Sequence, residues 1–200
     1  MLKSEINERI AKKFLTDSRD FLKRYKILLE KSIASHIGMR SKLLIDLLFS
    51  AECSIKGMIF LESSDNENDT YNKIFDHDLR KLMGKLSALE KENCSSYIDD
   101  KLFKFDVSNR YMIEAYKTFQ PNGILDKEYY DTIANFNWLE SVYGRLDGLE
   151  KYIWNKVKVP IEEYNFAELN IGDIIDDHNR IMNLKKTSTK RANCTSIDIT

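Results

Sequence analysis

The stretch Leu48-Phe-Ser-Ala-Glu-Cys-Ser-Ile-Lys-Gly-Met-Ile59, followed after a polar segment by His77-Asp-Leu-Arg-Lys-Leu82, decides how this chain is read. Leu44, Leu47, Leu48, Ala51, Ile55, Met58 and Ile59 recur at helical spacing. They predict a helix over residues 40–62, dense enough in apolar side chains to sit at the centre of a bundle. Glu52 and Lys56 interrupt the stripe one turn apart, acid first, which is the favourable order for a helical ion pair. On an exposed face such a pair contributes only about 0.3–0.5 kcal/mol; if buried, both charges require partners. Two readings follow: an ion pair that fixes the packing, or a pocket in which Lys56 meets a phosphate.

Outward from this centre the chain reads as helices. Ile6, Ile10, Phe14, Phe21, Tyr25, Leu28 and Ile33 define a first helix over residues 3–34, and Gly38 is the expected pivot of the break before the second. Ser63–Asp69 has no apolar side chain and reads as a solvated loop. Asp76 is the expected N-cap of the next helix, whose stripe is Leu79, Leu82, Met83, Leu86 and Leu89. Cys94–Ser96 marks another break, with short helices expected over 97–104 and 107–119. Pro121-Asn-Gly123 is a turn, and Asp126 caps a helix that runs to about residue 157 before Pro160 stops it. Residues 161–184 are acidic, with one helix expected near 171–184, and the Ser- and Thr-rich tail from 185 to 200 reads as disordered. The expected organisation is therefore a helical bundle over 1–160, an acidic extension and a polar tail.

Composition agrees with that class. Only 7 Gly and 2 Pro occur in 200 residues, which favours long helices. The balance of 31 basic against 32 acidic residues excludes a globally basic nucleic-acid binder. Charge is nevertheless uneven. Residues 1–42 carry eleven basic and five acidic side chains, a balance of +6, and residues 160–184 carry a balance of −5. The plainer reading is a solvated face on an amphipathic helix; the functional one is a first helix that contacts phosphates or an acidic partner. No apolar run reaches the roughly 18 residues of a membrane span, and the N-terminus lacks the apolar stretch of a signal peptide, so an intracellular, cytoplasmic location is expected. Cys53, Cys94 and Cys194 form no CxxC pair.

The Ala51-Glu52 and Ile55-Lys56 pattern, followed by a helix opening His77-Asp-Leu, resembles the HEPN superfamily of all-α bundles. The likeness covers residues 8–157 and is strongest over 43–86. It implies a bundle of five or six helices in which the histidine meets the glutamate of the preceding helix. Arg110-Tyr111 is similar to an Arg-Tyr pair that some members carry at a loop-to-helix junction. A guanidinium suits bidentate phosphate contact and a tyrosine ring can stack on a base; the plainer reading is a surface arginine and a core tyrosine.

Nuclease members of the superfamily use an arginine with four to six residues between it and a later histidine. Here those positions hold Lys31, Glu30 and Leu29 before His36, Asn72, Tyr71 and Thr70 before His77, and Asp173, Gly172 and Ile171 before His178. None is arginine. The resemblance therefore implies a non-catalytic module that binds a nucleotide, an RNA or a protein partner, in the bacterial stress-response, toxin–antitoxin or anti-phage settings where such bundles recur. Glu52, Lys56, His77, Arg80, Arg110 and Tyr111 are the expected ligand residues. The alternatives are a metal-independent ribonuclease with a divergent site, and a structural protein that dimerises. Adjacent residues of a helix point about 100° apart, so neither Asp76-His77-Asp78 nor Asp176-Asp177-His178 supports a metal site, and no cofactor motif is present. Trp138 and Trp154 are sixteen residues apart and point in different directions. One of them is expected to be left facing solvent, and a homodimer or a hetero-complex through that helix is the expected cover, unless residues 161–184 fold over it.

Overall fold

The computed structural model describes residues 3–32 and 36–158. The chain divides between Val159 and Pro160, and the expectations for 161–184 and for the tail lie outside the described residues. Among the described residues there are eight α-helices and no strand: α1 Lys3–Ser32, α2 Ile37–Glu62, α3 Glu67–Lys73, α4 Leu79–Met83, α5 Ala88–Ser95, α6 Met112–Phe119, α7 Lys127–Asp131 and α8 Phe136–Trp154. Three 3₁₀ turns, Asp100–Lys104, Val107–Arg110 and Pro121–Gly123, lie between them. The fold is an all-α bundle, with more helices than the expected five or six because two expected helices are each broken in two and α3 forms in the expected loop, while the helix expected over 97–104 is a 3₁₀ turn.

At the centre is α2. Nineteen of its 26 residues are buried, so it is enclosed on every side, as an all-round apolar helix must be. It packs chiefly on α1, and α8 packs on both. The close approach of α1 and α2 uses small residues. A Cβ on Gly57 would lie 3.3 Å from the Ala11 carbonyl oxygen, so α1 backbone occupies the space a side chain would fill. Ser18, fully buried on α1, places its Oγ 2.9 Å from Ser50 Oγ and 2.8 Å from Ser54 Oγ on α2.

Three cations of α1 pair with carboxylates of other helices. Arg19 pairs with Glu150 at 2.7 Å, Lys26 with Glu140 at 2.7 Å, and Arg24 Nε with Asp46 at 2.9 Å. Part of the positive balance of the N-terminal segment thus meets carboxylates of α2 and α8, which ties three helices together.

Four expectations about local structure are corrected. Gly38 is not a pivot; it is the second residue of α2 and buried, and α2 starts from the extended N-cap His36. The polar segment after α2 is not all loop, because Asn66 caps α3 by accepting from Asp69 N. Asn7 Nδ2 also donates to the Ser63 and Asp65 carbonyls at 3.2 and 2.9 Å, which pins the connection to α1. The helix expected from Asp126 to 157 is two helices. Thr132 leaves helical geometry at φ −130°, ψ −94°, and its hydroxyl bonds back to the Glu128 carbonyl. Asn135 then starts α8 by accepting from Trp138 N. Finally, neither tryptophan stands bare. Arg19 lies 4.6 Å over the Trp154 ring and Lys101 5.8 Å over Trp138, so α1 and the 3₁₀ turn Asp100–Lys104 cover them from within the chain.

Candidate functional site

Ile74 is buried, and Asp76 N closes a tight turn onto the Ile74 carbonyl at 2.7 Å. The turn holds Phe75 out at its tip, 83 % exposed. It also moves the start of the next helix. Asp76 is not the N-cap; its carboxylate accepts from Asp78 N, and Asp78 caps α4 by accepting from Arg80 N at 2.8 Å and Lys81 N at 3.3 Å. His77 therefore precedes the cap and lies in the extended entry to α4, from where its side chain reaches α2.

There it meets Glu52. His77 Nδ1 lies 3.0 Å from Glu52 Oε1, and Lys56 Nζ donates to the same oxygen at 2.6 Å. The contact between α2 and the α4 entry is the one the sequence suggests. Burial is graded across it: Glu52 and Lys56 are 5 % and 8 % exposed, whereas the His77 side chain is 63 % exposed. A carboxylate only accepts, so Nδ1 carries the proton and Nε2 is left outside this contact, an acceptor when the ring is neutral and a donor when it is protonated. Glu52 Oε2 is buried without a hydrogen-bond partner. Lys56 is accordingly the floor of the cluster and holds the carboxylate in place.

The flanks come from α4 and the 3₁₀ turn Val107–Arg110, both packed on α2. Arg80 is exposed on the first turn of α4, its guanidinium 5.6 Å from the centre of the Phe103 ring. Asp106 caps the 3₁₀ turn. Its carboxyl is held below the usual range first by hydrogen bonds from Ser108, with a smaller contribution from the charge of the nearby His77. Arg110 closes this turn, its side chain outside the described residues, and Tyr111 is the extended residue before α6, 54 % exposed. Glu52, Lys56 and His77 thus form one hydrogen-bonded cluster. Arg80 lies three residues after His77, on α4, with no bond to the cluster among the described residues, and Tyr111 opens the element that follows the Asp106 turn.

Neither described cysteine offers a reactive thiolate. Burial first, then the charge of Glu52, pushes the Cys53 thiol up to about 12, and burial does the same at Cys94. Among the described residues no group of three His, Cys, Asp or Glu side chains is placed to hold a metal, and no helix is long and apolar enough to cross a membrane.

Two features escaped the sequence reading. One is Phe75. The other is an open groove of about 580 Å³ on α6, lined by Ile113, Tyr116, Lys117, Gln120, Pro121 and Asn122 and by none of the six expected ligand residues. Neither is periodic over more than one short helix, although an aromatic residue directly after buried Ile74 in a polar loop was a usable signal for Phe75. No known protein family, curated protein or solved structure matches this chain.

Proposed function

We propose that this chain is a non-catalytic, HEPN-like module that binds a nucleotide or RNA phosphate over His77 and Arg80, with Tyr111 as the aromatic surface for a base. One observation carries the reading: a buried carboxylate, itself held by Lys56, fixes one nitrogen of an imidazole that is otherwise largely exposed. An orienting carboxylate behind an exposed histidine fixes tautomer and direction, as functional imidazoles require. Arg80 adds a permanent cation with the planar geometry that suits phosphate. The absence of the Arg–His spacing is the ground for reading the site as binding rather than cleaving, and the bacterial stress-response, toxin–antitoxin or anti-phage setting follows from the resemblance alone.

The same dyad favours a second reading, a metal-independent ribonuclease in which His77 moves the proton of an RNA 2′-hydroxyl. Incubating the protein with short oligoribonucleotides in the presence of a chelator separates the two. The binding reading expects a nucleotide-dependent rise in melting temperature and intact RNA, with the rise abolished in His77→Ala and Arg80→Ala. RNA cleavage that disappears in His77→Ala establishes the second reading instead. No shift and no cleavage defeats both.

A further inference from the structure

Asn122 is the one asparagine of the chain that is followed by glycine. The fold sets this pair in the exposed turn Pro121–Gly123, with Asn122 at φ 58°, ψ 24° and Gly123 at φ 79°. Asparagine tolerates that left-handed geometry. A glycine in the next position matters chemically, because no Cβ stands between the asparagine side chain and the following backbone nitrogen. Space is open as well: a Cβ built on Gly123 would meet nothing within 4 Å. The side-chain amide of Asn122 has no hydrogen bond among the described residues. Other asparagines are held. Asn7 and Asn109 are buried and hydrogen-bonded, and Asn66 and Asn135 cap helices. Asn68, Asn72, Asn93 and Asn137 lie within helices, where ψ is fixed.

We propose that Asn122 is a site of spontaneous deamidation, restrained by Gln120. The backbone nitrogen of Gly123 attacks Cγ of Asn122, the bond from Cγ to the side-chain nitrogen breaks, and ammonia leaves with the Gly123 amide proton. Water opens the succinimide ring that results. Attack of water at Cγ gives aspartate, and attack at the main-chain carbonyl carbon gives isoaspartate, in which the chain runs through the former side chain. Nothing besides water is consumed. The first step requires ψ of Asn122 to rotate well away from 24°, so that the nitrogen comes under Cγ. It also requires Gly123 N to leave the Gln120 carbonyl, to which it donates at 3.1 Å. Gln120 Nε2 donates in turn to the Gly123 carbonyl at 2.8 Å, so Gln120 holds Gly123 by both its polar groups. A short exposed turn opens locally at small free-energy cost, which brings the reaction within reach of the folded chain. Either product puts a carboxylate in the groove that Lys117 also lines. Isoaspartate in addition lengthens the backbone of the turn by one carbon, which the closure from Gly123 N to the Gln120 carbonyl must then span. The inference goes beyond the ligand reading and stands without it.

Peptide mapping by mass spectrometry tests it, on the full chain held folded for days in mildly alkaline buffer. Trypsin releases Thr118–Lys127, which contains no asparagine besides Asn122. This peptide is expected to gain the mass difference between an amide and an acid ahead of every other asparagine-containing peptide, and to separate into two products of equal mass. Gln120→Ala is expected to react about fivefold faster, because it removes one of the hydrogen bonds that oppose opening. A Thr118–Lys127 peptide that stays unchanged, or another asparagine that reacts first, overturns the site. A Gln120→Ala chain that reacts no faster than the wild type overturns the restraint.

Discussion

The three long helices and the segment between α2 and α8 are held by different means. Helices α1, α2 and α8 are joined by burial, by small-residue contact and by ion pairs across helices, and α2 starts at His36 with no side-chain cap. The connecting segment consists of helices of five to eight residues and 3₁₀ turns. Nearly every element there begins with a side chain that accepts from the first turn: Asn66, Asp78, Ser87, Asp99, Asp106 and Asp126. A short helix has too few internal hydrogen bonds to offset nucleation, so its ends decide whether it forms. A long enclosed helix is decided by its sides. The His77–Glu52 contact is where one regime meets the other.

Four experiments bear on that division. The largest loss is expected for Glu52→Ala, which leaves Lys56 buried without its counter-ion and costs about 3–5 kcal/mol in urea unfolding; a loss under about 1 kcal/mol would mean that the cluster is wetter than its burial indicates. Leu47→Ala, in the fully enclosed part of α2, is expected to cost about 2–5 kcal/mol through a cavity. By contrast, Asp78→Ala removes only a cap and should cost about 1 kcal/mol. Amide exchange should accelerate at Arg80 and Lys81 and leave α2 unchanged, and equal acceleration in both regions would erase the distinction.

The smallest effect is a matter of pH. Glu90 of α5 accepts from Tyr152 Oη at 2.7 Å and Lys156 Nζ at 2.8 Å near the end of α8. Burial pushes its carboxyl up, but these hydrogen bonds outweigh it, and the net position is below the usual glutamate value of 4.5. A depressed carboxyl contributes stability that is present above the unfolded value and lost as pH falls through the folded one. Glu90→Gln should therefore flatten the acid side of the stability curve below about pH 4.5. Asp46 has the opposite sign: burial raises its carboxyl despite Arg24, so its contribution favours the fold in acid and is lost as pH rises through the raised value. An unaltered acid limb in Glu90→Gln would remove the α5–α8 link from the account.

What could be read in advance follows the same division. Periodicity over 26 or 30 residues located α2 and α1 to within a few residues, because burial imposes the pattern and burial holds those helices. The Glu52–His77 contact was legible for a related reason, since a charge within an apolar stripe must find a partner. In the connecting segment periodicity misleads. Leu79, Leu82, Met83, Leu86 and Leu89 suggest one continuous helix, yet Ser87 caps a new one and Leu89 is 65 % exposed. Asp76 and Asp78 are equally good caps by composition, and only the burial of Ile74 decides between them. The groove on α6 lies beyond both kinds of signal, because the alternation of core and surface along eight residues does not single out its outer side.

The hydroxyls of Ser18, Ser50 and Ser54 bear on how the bundle finds its alignment. Leucine and isoleucine contacts between two long helices are nearly as good after a slide of one helical turn, about 5.4 Å. Three buried hydroxyls are not, because Ser18 lies between Ser50 and Ser54 and a slide of one turn parts it from at least one of them, at a cost of about 1–3 kcal/mol for an unmet polar group. The seam therefore acts as an index mark between α1 and α2. Alanine at all three positions should retain most of the stability while allowing the two helices to dock in more than one offset.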